Sequence, residues 1–147
     1  AFLYAQLENM DQITRRRQAV YHRYHENLVP LEQRGDIRLP FIPGGCTINY
    51  HMFYILLPSE PVRAALIEHL KARGILAVFH YVSLHASPMG LSMGYRKGML
   101  PVTEDVSDRL LRLPLYFDLT DTQVDEVTSA IRNFFCGGKQ ELRVLIR

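Results

Sequence analysis

The opening of the chain constrains its fold most. Leu3, Leu7, Met10, Ile13, Val20, Tyr24, Leu28 and Leu31 recur close to the helical period, and neither glycine nor proline interrupts them before Pro30. The pattern predicts one helix over residues 2–28, about 40 Å long at ~1.5 Å per residue. A domain of 147 residues has a radius of gyration of about 15 Å, so this helix crosses its full width or projects beyond it. It reads as a strut to a neighbouring domain. The first residues enter the amphipathic pattern at once, with no initiating methionine and no cap residue, so the expectation is a piece of a longer protein.

The rest of the composition is that of one soluble domain with a real core. Seventeen lysines and arginines against 15 acidic residues leave a charge of +2, spread too evenly for a nucleic-acid footprint. The densest basic run, Arg15, Arg16 and Arg17, would fan around a helix, which favours a solvated face. Cys46 and Cys136 form no metal or redox motif and are read as free thiols in a reducing cytosol. The longest apolar run, residues 52–57, is too short to cross a bilayer. A cytoplasmic protein is therefore expected, with neither a membrane nor a nucleic acid as partner.

Further along, residues 36–40 read as a short strand ended by Pro40, residues 50–57 as a mostly buried strand, and residues 75–81 as a second buried strand. Between the last two, Ser59 or Glu60, Pro61, Lys71, Arg73 and Gly74 punctuate a helix. Residues 82–101 form an irregular excursion rich in Gly, Ser, Met and Pro. A helix capped by Thr103 follows, with Arg109 and Arg112 in its last turn. A short extended piece comes next, and then a helix over residues 120–134 that opens with a Thr120/Gln123 capping box. The fold class expected is α+β, a small and partly antiparallel sheet covered by helices.

Two stretches could carry function, NYHMFYILLP (49–58) and FHYVSLHASP (79–88). Each sets histidine and tyrosine beside a strand-like run, the way a fold presents polar groups at a pocket rim. His51, His80 and His85 are candidates on that ground, against the rival reading of hydrogen-bonded structural residues; His22, His25 and His69 fall in helical patterns and read as ordinary. Converging metal ligands, a serine nucleophile elbow and a phosphate-cradling glycine loop all lack their patterns.

AFLYAQLENMD, the Asn49-x-His51-Met52-Phe53-Tyr54 strand, LKARGILAVFHY, HYVSLHASP and SDRLLRLPLYFDLT, in that order, resemble the C-terminal part of the DegT/DnrJ/EryC1/StrS sugar-nucleotide aminotransferases. The resemblance covers residues 1–135 and is nearest to the branch that makes dTDP-4-amino-4,6-dideoxygalactose for enterobacterial common antigen and lipopolysaccharide assembly. It implies the small C-terminal domain of a fold type I pyridoxal phosphate enzyme: residues 1–30 an interdomain helix, 31–135 the small domain, 136–147 a tail. It implies a homodimer when intact and a nucleotide-linked deoxysugar as substrate, with an N-terminal cofactor domain supplying the lysine. Lys71, Lys97 and Lys139 do not stand in that lysine's context, so the chain alone is expected to hold no cofactor and to be inactive. By the same resemblance Asn49, Tyr50, His51, His80, Tyr81 and His85 face the substrate cleft in positioning roles. Two readings stay open beside it: a stand-alone interaction module using the long helix, and a fragment of the family's dehydratase branch, in which histidine replaces the lysine.

Overall fold

The computed structural model describes residues 2–137. The expected single strut is two successive helices, α1 (Phe2–Glu8) and α2 (Met10–Gln33). Asn9 makes the break: its Nδ2 donates to the Ala5 carbonyl at 2.9 Å, and its backbone N–H reaches Gln6 instead, at 3.2 Å. A side chain that bonds the preceding turn competes with the helical ladder. At the other end α2 runs past Pro30, because proline there removes one bond near the terminus while Leu31, 1% exposed, anchors the last turn. Gly35 at φ 78 then closes it, with Asp36 N–H on the Leu31 carbonyl and Gly35 N–H on Glu32.

Three antiparallel strands follow in the order β1-β3-β2: β1 (Phe53–Leu56), β2 (Val78–Phe79) and β3 (Leu110–Leu113). They are shorter than the sequence pattern suggests. Residues 36–40 contribute one bridge, Arg38 to Leu56, with a hydrogen bond of 2.9 Å in each direction. The second strand is not buried; Leu76, Val78 and Phe79 are 78%, 41% and 54% exposed, since β2 lies at the sheet edge and no other strand among the described residues pairs its far side. Helix α3 (Glu60–Lys71) begins after Ser59 and ends at Gly74, φ 72, in the same closure as α2. The excursion holds a 3-10 turn (Leu84–Ala86) and a short α4 (Pro88–Ser92). Helix α5 (Pro101–Arg109) starts ahead of Thr103, because Pro101 is preset for a first helical position; Arg112 lies in β3 instead of the helix. Helix α6 (Asp121–Gly137) carries the capping box: Gln123 N–H to Thr120 Oγ1 at 3.2 Å and Thr120 N–H to Gln123 Oε1 at 2.9 Å. Of the expected tail only Cys136 and Gly137 are described, as the end of α6; the remainder, with Lys139, lies outside the described residues.

One face of the sheet carries the core. Phe53 pairs with Leu113 and Ile55 with Leu111; all four are buried beneath α2, α3 and α6, with α6 touching both of the others. Tyr24 on α2 stacks on Phe53 at 5.1 Å and donates its buried hydroxyl to the Pro114 carbonyl at 2.9 Å. Burial, and then Tyr116, push its pKa upward. The alternate residues, Tyr54, Arg112 and Val78, share the opposite face. Among the described residues no helix is long and apolar enough to cross a membrane.

Candidate functional site

The first quoted stretch enters β1 through a strained turn. Tyr50 has φ 51, a region that residues with a side chain rarely occupy. The surroundings hold it there: its ring sits edge-on to Tyr21 at 5.4 Å, and its hydroxyl accepts from Gln18 Nε2 at 3.2 Å. The two flanking side chains clasp each other. Asn49 Oδ1 takes both the His51 backbone N–H, at 3.3 Å, and His51 Nδ1, at 2.6 Å. A backbone N–H can only donate, which identifies the amide oxygen and requires a proton on Nδ1. In neutral His51 the Nε2 is therefore an acceptor. Three clefts of about 630, 450 and 160 Å³ meet at His51, and Asn49 lines the two larger ones.

His80, Tyr81 and His85 are elsewhere. β1 and β2 pair opposite edges of β3, Phe53 with Leu113 and Phe79 with Leu111, so β3 stands between the strands that these stretches enter. Within this chain the two quoted stretches do not meet. His80 is half-buried, its Nδ1 enclosed and without a partner among the described residues, and its ring sits 4.9 Å from that of Tyr81. Tyr81 is 76% exposed, and its carbonyl accepts from Ser107 Oγ at 3.0 Å.

His85 is buried, and its Nε2 donates to Glu104 Oε1 at 2.7 Å. The same oxygen takes the Gly98 N–H at 2.6 Å, so one carboxylate ties the 3-10 turn to the end of the excursion. The contact with His85, and then the one with Gly98, hold the Glu104 carboxyl below its usual range. Gly90 packs so closely on this turn that a Cβ would fall 2.6 Å from the His85 carbonyl oxygen. His85 acts here on loop shape, with its ring shut away from solvent.

Sequence reasoning missed two residues. Glu104 reads in the sequence only as a first-turn acid of a helix, because its partner is 19 positions away. Arg17 belongs to a triplet expected to be solvated, yet only Arg15 is exposed. Arg16 binds Asp121 at 3.0 Å and the Leu119 carbonyl, while Arg17 lines the 630 Å³ cleft together with Asn49 and His51. The fan geometry of consecutive helical residues was the available signal. The ordinary histidines include His69, which donates to the Ala130 carbonyl at 3.1 Å and whose pKa is lowered chiefly by burial. Cys46 and Cys136 are free and exposed.

Residues 1–132 match the description of the DegT/DnrJ/EryC1/StrS aminotransferase family. The chain belongs to that family. A pleiotropic regulatory protein of Geobacillus stearothermophilus is 31% identical over 139 residues, 92% of this chain and 36% of the relative. The dTDP-3-amino-3,4,6-trideoxy-alpha-D-glucose transaminase of Micromonospora megalomicea subsp. nigra is 28% identical over 133 residues, 89% of this chain and 35% of the relative. Among solved structures, S. venezuelae DesV in complex with a ketimine intermediate superposes with a TM-score of 0.82 at 30% identity, covering 90% of this chain and 34% of that one. The aminotransferase TlmJ of Streptoalloteichus hindustanus gives 0.79 at 28%, covering 91% and 35%. The chain thus spans about a third of the length of the relatives it matches. The small α+β domain with its antiparallel sheet is an architecture shared with aminotransferases.

Proposed function

We propose that this chain is the C-terminal small domain of a pyridoxal phosphate-dependent sugar-nucleotide aminotransferase of fold type I, with residues 1–30 as the interdomain helix, 31–135 as the small domain and 136–147 as a tail. The intact enzyme is a cytoplasmic homodimer that moves an amino group from glutamate to the keto carbon of a dTDP-4-keto-6-deoxyhexose for surface polysaccharide synthesis. Its product is dTDP-4-amino-4,6-dideoxygalactose. The observation that carries this reading is the family match along nearly the whole chain, joined to a relative named as a transaminase of a dTDP-linked sugar.

The described residues do not by themselves suit the cofactor. Lys71 is exposed and reaches Glu68 at 4.0 Å; Lys97 is exposed ahead of α5, and neither lines a described cleft. No step through the cofactor is assigned to this chain. What its residues do is hold and orient: the Asn49–His51 clasp fixes the imidazole so that Nε2 accepts from a sugar hydroxyl, and Tyr50 braces the turn through Gln18. The His85–Glu104 contact shapes the loop that carries Tyr81.

The test uses the protein that carries this chain, with glutamate and dTDP-4-keto-6-deoxyglucose as substrates. An amino sugar nucleotide of the expected mass should form, and His51→Ala and His85→Ala should each lower turnover about tenfold or more while the cofactor absorbance stays intact. Absence of amino transfer to this substrate sinks the reading; unchanged kinetics in both variants removes the site assignment.

A stand-alone interaction module has one observation in its favour. The apolar stripe of α1 is open, with Leu3, Tyr4 and Leu7 exposed by 68%, 66% and 56%. The coding sequence upstream of Ala1 discriminates: an in-frame large domain with a cofactor lysine supports the aminotransferase, whereas a start codon there favours the module.

A further inference from the structure

Beyond Phe79 the ladder with β3 ends, and the chain leaves the sheet edge with no strand bonds to hold Tyr81. The Tyr81 carbonyl is taken by one side chain, Ser107 Oγ at 3.0 Å, 26 positions away on α5. A serine inside a helix ordinarily turns its hydroxyl back to a carbonyl three or four residues earlier. This half-buried one reaches across to another segment instead. Glu104, three residues ahead of Ser107 and so on the same face of α5, holds His85. That face therefore fixes the segment 81–85 at both ends. Helix α5 is itself seated by Arg63 of α3, whose side chain is 13% exposed. Arg63 Nη1 donates to the Ser107 carbonyl at 3.0 Å, and the guanidinium lies 5.6 Å from the centre of the Phe79 ring. The last paired residue of β2, the start of the excursion and α5 are thereby joined at one place. The Tyr81 side chain is 76% exposed, so its backbone is held while its ring stays open to a ligand.

We propose that Ser107 is a positioning residue for Tyr81: its hydroxyl sets where the Tyr81 ring stands toward the nucleotide-linked sugar, and Arg63 sets where Ser107 stands. In this role Ser107 acts through Tyr81 and touches no substrate. The inference rests on the aminotransferase reading, which gives Tyr81 its place at the substrate, and adds to it a residue that lies outside both quoted stretches.

The experiment is steady-state kinetics of the protein that carries this chain, with dTDP-4-keto-6-deoxyglucose and glutamate, for Ser107→Ala, Tyr81→Ala and the two combined. Ser107→Ala should lower kcat/KM for the sugar nucleotide about threefold to tenfold, the size of one neutral hydrogen bond. The value for glutamate should stay unchanged. In the Tyr81→Ala background, itself slowed, the same substitution should add nothing, because the ring it positions is gone. Ser107→Thr, which keeps the hydroxyl, should restore the rate. If Ser107→Ala is poorly folded, Ser107→Thr against Ser107→Val, alike in shape and different in the hydroxyl, makes the same comparison. Additive losses in the double variant, an equal loss toward glutamate, or full activity in either single variant overturns the positioning role and leaves the aminotransferase reading standing. A wild-type protein that transfers no amino group to this sugar nucleotide removes both.

Discussion

Glu104 shows how a single side chain can set the shape of a loop. Its Oε1 receives His85 Nε2 and the Gly98 N–H, and its side chain is 15% exposed. Both donors favour the ionised carboxylate, so its pKa in the fold lies below the ordinary 4.5. As pH falls through that value the unfolded chain takes up the proton first. The contact therefore contributes stability that is complete above 4.5 and is lost as pH drops through the lower folded value. Glu104→Gln should unfold at a lower urea midpoint at neutral pH and lose less of its stability on acidification than the wild type. Parallel pH profiles for the two proteins would remove the role assigned to Glu104. The sequence marked His85 as a strand-end histidine and left open whether it was structural or functional; it could not show the acid that completes the pair, because no local spacing links residues so far apart. His51 was easier, since its Asn49 partner is two positions away and a turn brings them together. Arg17 was misread because periodicity tells which way a residue points and not what stands in front of it.

At the scale of elements, the punctuation was legible and the strands were not. Gly35 and Gly74 end their helices by taking positive φ, and the capping box at Thr120 and Gln123 forms as its spacing requires. These signals act within a few residues, so sequence alone carries them. Strand length depends on a partner's register: apolar density over residues 75–81 predicted burial, but β3 offers pairing only to Val78 and Phe79. Asn9 broke the first helix by a side-chain bond that a periodicity argument ignores. Because α6 packs between α2 and α3, its first turn matters to the whole layer. Thr120→Ala removes the acceptor for the Gln123 N–H and should cost about 1 kcal/mol, as N-cap losses do. Urea unfolding of the variant measures it, and Thr120→Ser, which retains the oxygen, should recover most of the loss.

Over the molecule as a whole, order is graded along the opening helices. From Val20 to Leu31 the inner face of α2 is buried: Val20, Tyr24 and Leu28 are at 0% exposure, and the Arg23–Asp125 pair with Asn27 at 2.9 Å clamps α2 to α6. That pair is about 40% exposed on each side, so water screens it and it fixes geometry more than stability. Ahead of the Asn9 break nothing comparable among the described residues holds α1, a helix of seven residues with Leu3 and Leu7 open to solvent. Helices that short are marginal unless an apolar face is buried. Native-state hydrogen exchange of the chain should therefore show α1 amides with little protection, whereas those of Tyr24, Leu28 and Leu31 open only with global unfolding. Protection in α1 that persists on dilution would mean that the chain itself covers the stripe. Protection that disappears on dilution would mean that a second copy covers it, and the analytical mass of the chain would rise with concentration in step. The same measurement on the intact protein separates a helix completed by a neighbouring domain, protected at every concentration, from one left open for a partner.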